Sequence, residues 1–319
     1  MKNIIITFLA AKSVIDGQLT LGAMLSVQYI LGQLNVPVNS LITFIQSAQD
    51  TQISLARISD VHLQENEENK MEDNIKQLPN DKSIHINNLN YRYGSKHSPL
   101  VLKNINFKVP QGKVTAIVGA SGSGKTTLIK QLLRIVSPTE GLIKIGNTHL
   151  DKISVSFWRS KCGSVMQEGY LFSDTIVRNI TESDSEGLIN KERLLNAVIT
   201  ANIESFIESL PMGYNTRIGA SGMGISGGQK QRILIARAIY KNPEYLFFDE
   251  ATSALDSTNE SEIMKKLDSF FESRTVVVVA HRLSTVKKAD NIVVLEKGEI
   301  IEEGSHLELI GNKGVYYKL

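Results

Sequence analysis

Val114-Thr115-Ala116-Ile117-Val118-Gly119-Ala120-Ser121-Gly122-Ser123-Gly124-Lys125-Thr126-Thr127 is the stretch that decides the fold of this chain. Its first five residues form the short apolar run of a parallel strand covered on both faces. The next eight follow the pattern of glycine, four residues, glycine, lysine and a hydroxyl residue. Beyond them, Leu128, Ile129, Leu132, Leu133 and Val136 recur at helical spacing until Pro138, which predicts a helix across that span. Strand, glycine loop and helix in this order build a phosphate cradle. The glycines let successive N–H groups turn toward phosphate oxygens, and the helix N-terminus adds a favourable potential. Lys125 then reaches the outer phosphates and Thr126 can ligate magnesium. The predicted phosphate-binding set is Gly119, Ala120, Ser121, Gly122, Ser123, Gly124, Lys125, Thr126 and Thr127.

Two further buried-strand runs lie downstream, Tyr245 to Phe248 and Thr275 to Ala280. Between them Ile263, Met264, Leu267, Phe270 and Phe271 mark an amphipathic helix. Strand, helix and strand at this spacing predict a parallel sheet with helices on its faces. The first of these strands ends on Asp249 and Glu250. Such a carboxylate pair beside a phosphate loop suits magnesium for the first residue, and for the second a base that accepts a proton from the attacking water or orients it. Upstream, Ile84 and Ile86, then Ile105, Phe107 and Val109, alternate with polar residues as antiparallel half-buried strands do. Ile292 to Leu295 and Glu299 to Glu302, joined by Lys297 and Gly298, predict a closing hairpin.

The amino-terminal part is of another kind. No charged residue occurs from Gly17 to Gln49, whereas Glu65, Glu67, Glu68, Lys70, Glu72, Asp73 and Lys76 crowd the stretch after it. Leu19 to about Phe44 meets the ~20 residues that a spanning helix needs. Gln28, Gln33, Asn35 and Asn39 recur along it and suit a protein interior or a watery path better than lipid, and Pro37 could kink it. Ile4 to Ala11 is an apolar run too short to span, so Met1 to Ala11 reads as the end of another spanning helix, Lys12 to Gly17 as a turn, and Thr51 to about Leu63 as a polar continuation. The predicted organisation is therefore a membrane-domain remnant over 1–64, a linker over 65–82 and a catalytic domain over 83–319.

Over the 319 residues the net charge is +2 and 21% of residues are charged, which suits globular domains and excludes a disordered or nucleic-acid-coating chain. The single cysteine, Cys162, forms no intrachain disulfide and reads as a small core residue, and none of the six histidines stands in a cluster with metal-ligand spacing.

With the phosphate loop and the acidic strand end in place, the rest of the chain resembles the ATP-binding-cassette (ABC) family. Ile225-Ser226-Gly227-Gly228-Gln229 is similar to that family's signature motif, Gln167 stands at its Q-loop, Ser253-Ala254-Leu255-Asp256 at its D-loop, and His281 at its switch histidine. Ser226 also precedes the helical pattern Ile233, Leu234, Ala236 and Ile239, so it doubles as a helix N-cap. Tyr93 stands where relatives stack a ring on adenine. Tyr91 competes for that role from the same face, and the turn at Gly94 favours Tyr93. Two residues depart from the family pattern: Ile225 replaces a leucine, and Ala220 replaces the acidic residue many exporters carry before the signature.

The resemblance implies a P-loop NTPase of RecA-like α/β fold, with an antiparallel β-subdomain and a helical subdomain, preceded by a partial transmembrane segment. It implies Mg2+ with ATP as substrate, metal ligation by Thr126, Gln167 and Asp249, and catalysis by Glu250, His281 and Gln167. It further implies a second nucleotide-binding domain that offers Ser226, Gly227, Gly228, Gln229 and the D-loop Asp256 in trans. The remaining partners are membrane-domain helices and the bacterial cytoplasmic membrane, not nucleic acid. Gly17, Leu19, Thr20, Leu21, Gly22, Arg57 and Ile58 look most like peptide and bacteriocin exporters that carry an amino-terminal peptidase, although no peptidase-like region lies upstream here. The same cassette also suits a soluble ATPase without transport or an uncoupled exporter fragment, and the attached helix favours export.

Overall fold

The computed structural model describes residues 2–63, 75–184, 189–219, 222–251, 257–280 and 283–318. The chain divides into two compact units, Met1–Asn69 and Lys70–Leu319.

The first unit is helical, with α1 at Lys2–Ile15 and α2 at Leu21–His62. Thr20 caps α2, its hydroxyl accepting from the Ala23 N–H at 3.2 Å. Two expectations change here. The turn predicted from Lys12 is helical as far as Ile15, and the break falls between Ile15 and Leu21. The helix predicted around Leu19–Phe44 forms and runs on through Pro37 for 42 residues, yet among the described residues no helix is long and apolar enough to cross a membrane. The physical reason is composition: Gln28, Gln33, Asn35 and Asn39 dilute the apolar content below what hydrocarbon demands.

The second unit carries two sheets. β1 (Ile84–Tyr91), β2 (Leu102–Val109), β4 (Glu140–Ile145) and β5 (Thr148–His149) form an antiparallel sheet in the order β2-β1-β4-β5. β3 (Val114–Val118), β6 (Cys162–Val165), β7 (Tyr245–Asp249), β8 (Thr275–Val279), β9 (Asn291–Glu296) and β10 (Glu299–Gly304) form the second, in the order β10-β9-β3-β8-β7-β6. Its strands are parallel except for the β9–β10 hairpin. The helices around these sheets are α3 (Lys125–Leu132), α4 (Val155–Lys161), α5 (Ile176–Ile180), α6 (Lys191–Thr200), α7 (Glu204–Glu208), α8 (Gly227–Tyr240), α9 (Ser257–Phe271), α10 (Leu283–Val286) and α11 (His306–Asn312). The P-loop NTPase fold expected from the sequence is thus present, with its antiparallel sheet and helices.

Strand periodicity sorts the core. Ile117, Phe247, Val277 and Val293 face the side shared with α3 and the antiparallel sheet, where Leu128, Ile129 and Leu132 meet Ile84, Leu102 and Trp158. Leu246, Phe248, Val276 and Val278 face the opposite side, against α5, α6, α8 and α9. Cys162 lies in the first of these clusters, and its thiol is pushed up by burial.

The helix after the phosphate loop is shorter than its apolar spacing predicts. It ends at Leu132, because Arg134 takes the left-handed conformation (φ 54°) and side chains from α4 take the terminal carbonyls. Trp158 Nε1 donates to Leu132 O at 2.8 Å, and the Arg159 guanidinium donates to Arg134 O at 2.6 Å. Leu133 and Val136 still pack into the core, which is why their spacing read as helical.

Candidate functional site

β3 delivers the glycine loop to the carboxyl edge of the parallel sheet. Gly119 must be glycine: a Cβ there would lie 2.0 Å from Leu295 O of the neighbouring strand β9. The loop rests on the β9–β10 turn, where the Gly298 N–H donates to Ser123 O at 3.1 Å and Gly298 O accepts from the Lys103 N–H at 2.7 Å. Gly124, at φ 106°, leads into α3.

Lys125 opens that helix. Its side chain folds back under the loop, with Nζ donating to Gly119 O and Ala120 O at 2.9 Å each. The residue is buried, and burial lowers its pKa against the opposing pull of Glu250 and Asp249. An ammonium held this way is positioned for anionic oxygens seated in the loop.

Asp249 closes β7 opposite this lysine. It has no solvent exposure, and neither oxygen of its carboxylate makes a well-formed hydrogen bond, although the Thr126 hydroxyl approaches it. Burial raises its pKa, and the neighbouring Glu250 charge adds to the rise, while the Thr126 hydroxyl and the Lys125 ammonium oppose it. A buried carboxylate so poorly satisfied is costly, and a hard cation sharing the site removes the cost. Asp249 and the Thr126 hydroxyl beside it are oxygen donors of the kind Mg2+ takes, and such an ion would keep waters and substrate phosphates as its other ligands. Among the described residues there is no group of three or more His, Cys, Asp and Glu that could hold a metal without such a substrate.

Glu250 follows in a left-handed backbone conformation, φ 52°. For a glutamate this costs of order 1 kcal/mol or more and persists only where the surroundings enforce it. Its N–H donates to Val279 O at 3.2 Å, and its carbonyl accepts from Gln231 Nε2 at 3.1 Å. Its side chain accepts from Gln167 Nε2 at 3.1 Å. Gln167 arrives there because β6 runs parallel to β7, with Val165 beside Phe248, so both strands end at the same edge.

The structure therefore brings Gly119–Thr127, Gln167, Asp249 and Glu250 to one edge. Tyr93 lies close by: its hydroxyl is 3.2 Å from Thr127 Oγ1, and its ring is 45% exposed, whereas Tyr91 is buried. The two rings meet edge-on at 4.8 Å. Tyr93 stands beyond the end of β1, so strand alternation does not fix its face as the sequence suggested, and it alone of the pair presents a free ring surface. Ser226 caps α8, with a capping box in which its hydroxyl accepts from the Gln229 N–H at 3.2 Å and the Gln229 side chain accepts from the Ser226 N–H at 2.9 Å. His281, the Ser253–Asp256 segment and Ala220 lie outside the described residues.

Gln231 is the residue of this site that the sequence reading passed over. Its signal was available: an amide at helical spacing with Leu234, Ile235 and Ala238 on the buried stripe of α8.

The family model described as ABC transporter matches residues 102–253. The leukotoxin translocation ATP-binding protein LktB of Mannheimia haemolytica is 41% identical over 310 residues, covering 97% of this chain and 43% of that protein. The protein of the same name from Bibersteinia trehalosi matches with the same identity and coverage. The chain thus spans less than half the length of these curated relatives. Among solved structures, a bacterial Atm1-family ABC exporter with ATP bound superposes with a TM-score of 0.78 at 34% identity, covering 94% of this chain and 52% of that one.

Proposed function

We propose that the ABC-transporter nucleotide-binding domain carried by this chain, an ATPase domain related to bacterial ATP-binding export proteins, is the motor end of an exporter for peptides or polypeptides. The observation that carries this reading is the convergence on one sheet edge of the Lys125 loop, the buried and poorly satisfied Asp249 and the Glu250–Gln167 pair. The sequence likeness to a leukotoxin translocation protein along 97% of the chain supports the transport half of the proposal.

In this reading Gly119–Thr127 wraps the β- and γ-phosphates, with Lys125 released from its carbonyl partners onto phosphate oxygens, and Tyr93 carries the adenine. Thr126, Asp249 and Gln167 hold Mg2+, which supplies charge neutralisation to the transferring phosphoryl group. Glu250 accepts the proton of the attacking water or orients it, Gln167 holds that carboxylate in place, and His281 contacts the γ-phosphate. A second nucleotide-binding domain closes the site with its Ser226–Gln229 segment and its Asp256. The domain over 83–319 works on the cytoplasmic face of the bacterial membrane, joined by the linker over 65–82 to a membrane-domain part over 1–64 that needs further helices for a transport path.

The test is Mg-ATP turnover by the chain and by its Glu250→Gln variant. Turnover should fall by about 10²–10⁴ while ATP affinity holds. Near-normal turnover in that variant removes Glu250 from the role of base. For the cargo, amphipathic peptides should stimulate turnover of the chain assembled with its membrane helices, and indifference to every peptide offered overturns the peptide assignment.

A further inference from the structure

We infer that Gln231 is a positioning residue for the reaction, fixing the direction of the Glu250 carboxylate from the helix that carries the signature residues. The inference rests on the reading of Glu250 as base. Three observations carry it. Glu250 sits in the left-handed region, which a glutamate does not hold unaided. Its amide is tied to Val279 O on the strand side, and its carbonyl is tied to Gln231 Nε2 at 3.1 Å on the helix side. Gln231 itself is 8% exposed, a long polar side chain kept inside an apolar helix face.

The geometry gives the bond a task. The bonds at its N–H and its carbonyl anchor the peptides on both sides of Glu250, and together they hold the left-handed φ of 52° that sets the direction of the Cα–Cβ vector. That vector aims the carboxylate at Gln167 Nε2, 3.1 Å away, and at the space beside the phosphate loop. Loss of the Gln231 N–H removes one of the bonds that hold this conformation, and relaxation toward an ordinary one swings the carboxylate aside. Gln231 also lies five residues beyond Ser226, the cap of the same helix. A displacement of α8 therefore reaches Glu250 through the Gln231 hydrogen bond.

The experiment uses the full chain. Gln231→Met keeps the length and helix preference of the side chain and removes the amide, while Gln231→Glu keeps a side-chain acceptor and removes the N–H donor when ionised. The expected result is a fall of about tenfold or more in kcat, with the KM for ATP unchanged within twofold and little change in Tm. Gln231→Glu, which also lacks an N–H when ionised, should match it. In the Glu250→Gln background, Gln231→Met should cause no further loss of the residual turnover, because the group it aims is already gone. Wild-type kcat in both Gln231 variants overturns the inference. So does an equal fractional loss in the Glu250→Gln background, or a collapse of Tm in both, which would give Gln231 a purely structural role. If Glu250→Gln alone keeps full turnover, the reading of the base fails instead, and the two failures are told apart.

Discussion

Helices α2 and α8 differ in what covers their apolar residues. α8 is 14 residues long, and Ile233, Leu234, Ile235, Ala236, Ala238, Ile239 and Tyr240 are all buried within its own unit. α2 is three times longer, yet Leu25, Tyr29, Ile30, Leu34, Leu41 and Phe44 remain exposed. Both sequences contain an apolar stripe, but only one contains the partners that cover it. The ATPase unit carries the instructions for its own core, whereas these apolar residues of the helical unit are left uncovered.

If the ATPase unit is self-sufficient, damage inside it should be severe and local in cause. Gly119→Ala is the harshest case, since a Cβ would overlap Leu295 O at 2.0 Å and strand β9 cannot yield without opening the sheet. ATP affinity, measured by calorimetry, should drop by about two orders of magnitude as the loop shifts. Affinity within a fewfold of the parent would show that the loop needs no such close approach. Trp158→Ala comes next. The indole is fully buried against Tyr245 at 4.7 Å between ring centroids, and it holds the end of α3 through Leu132 O. Denaturant unfolding should register a loss of about 3–5 kcal/mol, and Trp158→Phe should recover most of it. A loss below ~1 kcal/mol would mean that α4 contributes little to seating the phosphate helix.

Much of this unit was legible because short-range signals agreed with the fold. The loop from Gly119 to Thr126 declares itself by glycine spacing, and Tyr245–Phe248 and Thr275–Ala280 by buried apolar runs. What escaped depends on long-range contacts. The stop of α3 at Leu132 is set by Trp158 and Arg159, far along the chain, so local spacing alone read through it. The short strands β4 and β6 lack a strong apolar pattern, with Glu140 and Gly141 in one and Gly163 and Ser164 in the other. Gln231 was visible as a misplaced amide on a buried stripe, but its target, the Glu250 carbonyl, emerges only when β7 and α8 meet. In the amino-terminal unit length predicted a spanning helix and hydropathy withheld it, a disagreement between two sequence measures that the amide residues explain.

Asp249 inverts the expected direction of damage. Its folded pKa is raised above an unfolded value near 3.9, so the native state keeps its proton while the unfolded chain has released it. Its contribution to stability is therefore best at low pH and is lost as pH rises from the unfolded pKa through the folded one, leaving a buried charge at neutral pH. Asp249→Asn removes that charge at nearly constant shape. In the absence of nucleotide and metal the variant should melt a few degrees higher at pH 7, and the gain should shrink as pH falls toward 4. Mg-dependent turnover should disappear in the same variant. A lower Tm at neutral pH would mean that the carboxylate is stabilised by its neighbours and is not waiting for a cation.

The smallest effect belongs to α2 and tests the other half of the comparison. Leu41 is 59% exposed, so Leu41→Gln gives up almost no buried area within the chain. Unfolding of the isolated chain should move by no more than about 0.5 kcal/mol, and basal ATP turnover should stay at the parent level. The same substitution should matter once the chain is assembled with its membrane partners. An exposed leucine on a stripe with Leu34 and Phe44 then meets neighbouring helices, and a glutamine there leaves an amide to be satisfied. The contrast between the two conditions is the informative quantity. A substantial loss of stability in the isolated chain would show that the stripe is covered by the chain itself. Indifference in both conditions would show that this face of α2 has no apolar partner, and that the helical unit meets its surroundings elsewhere.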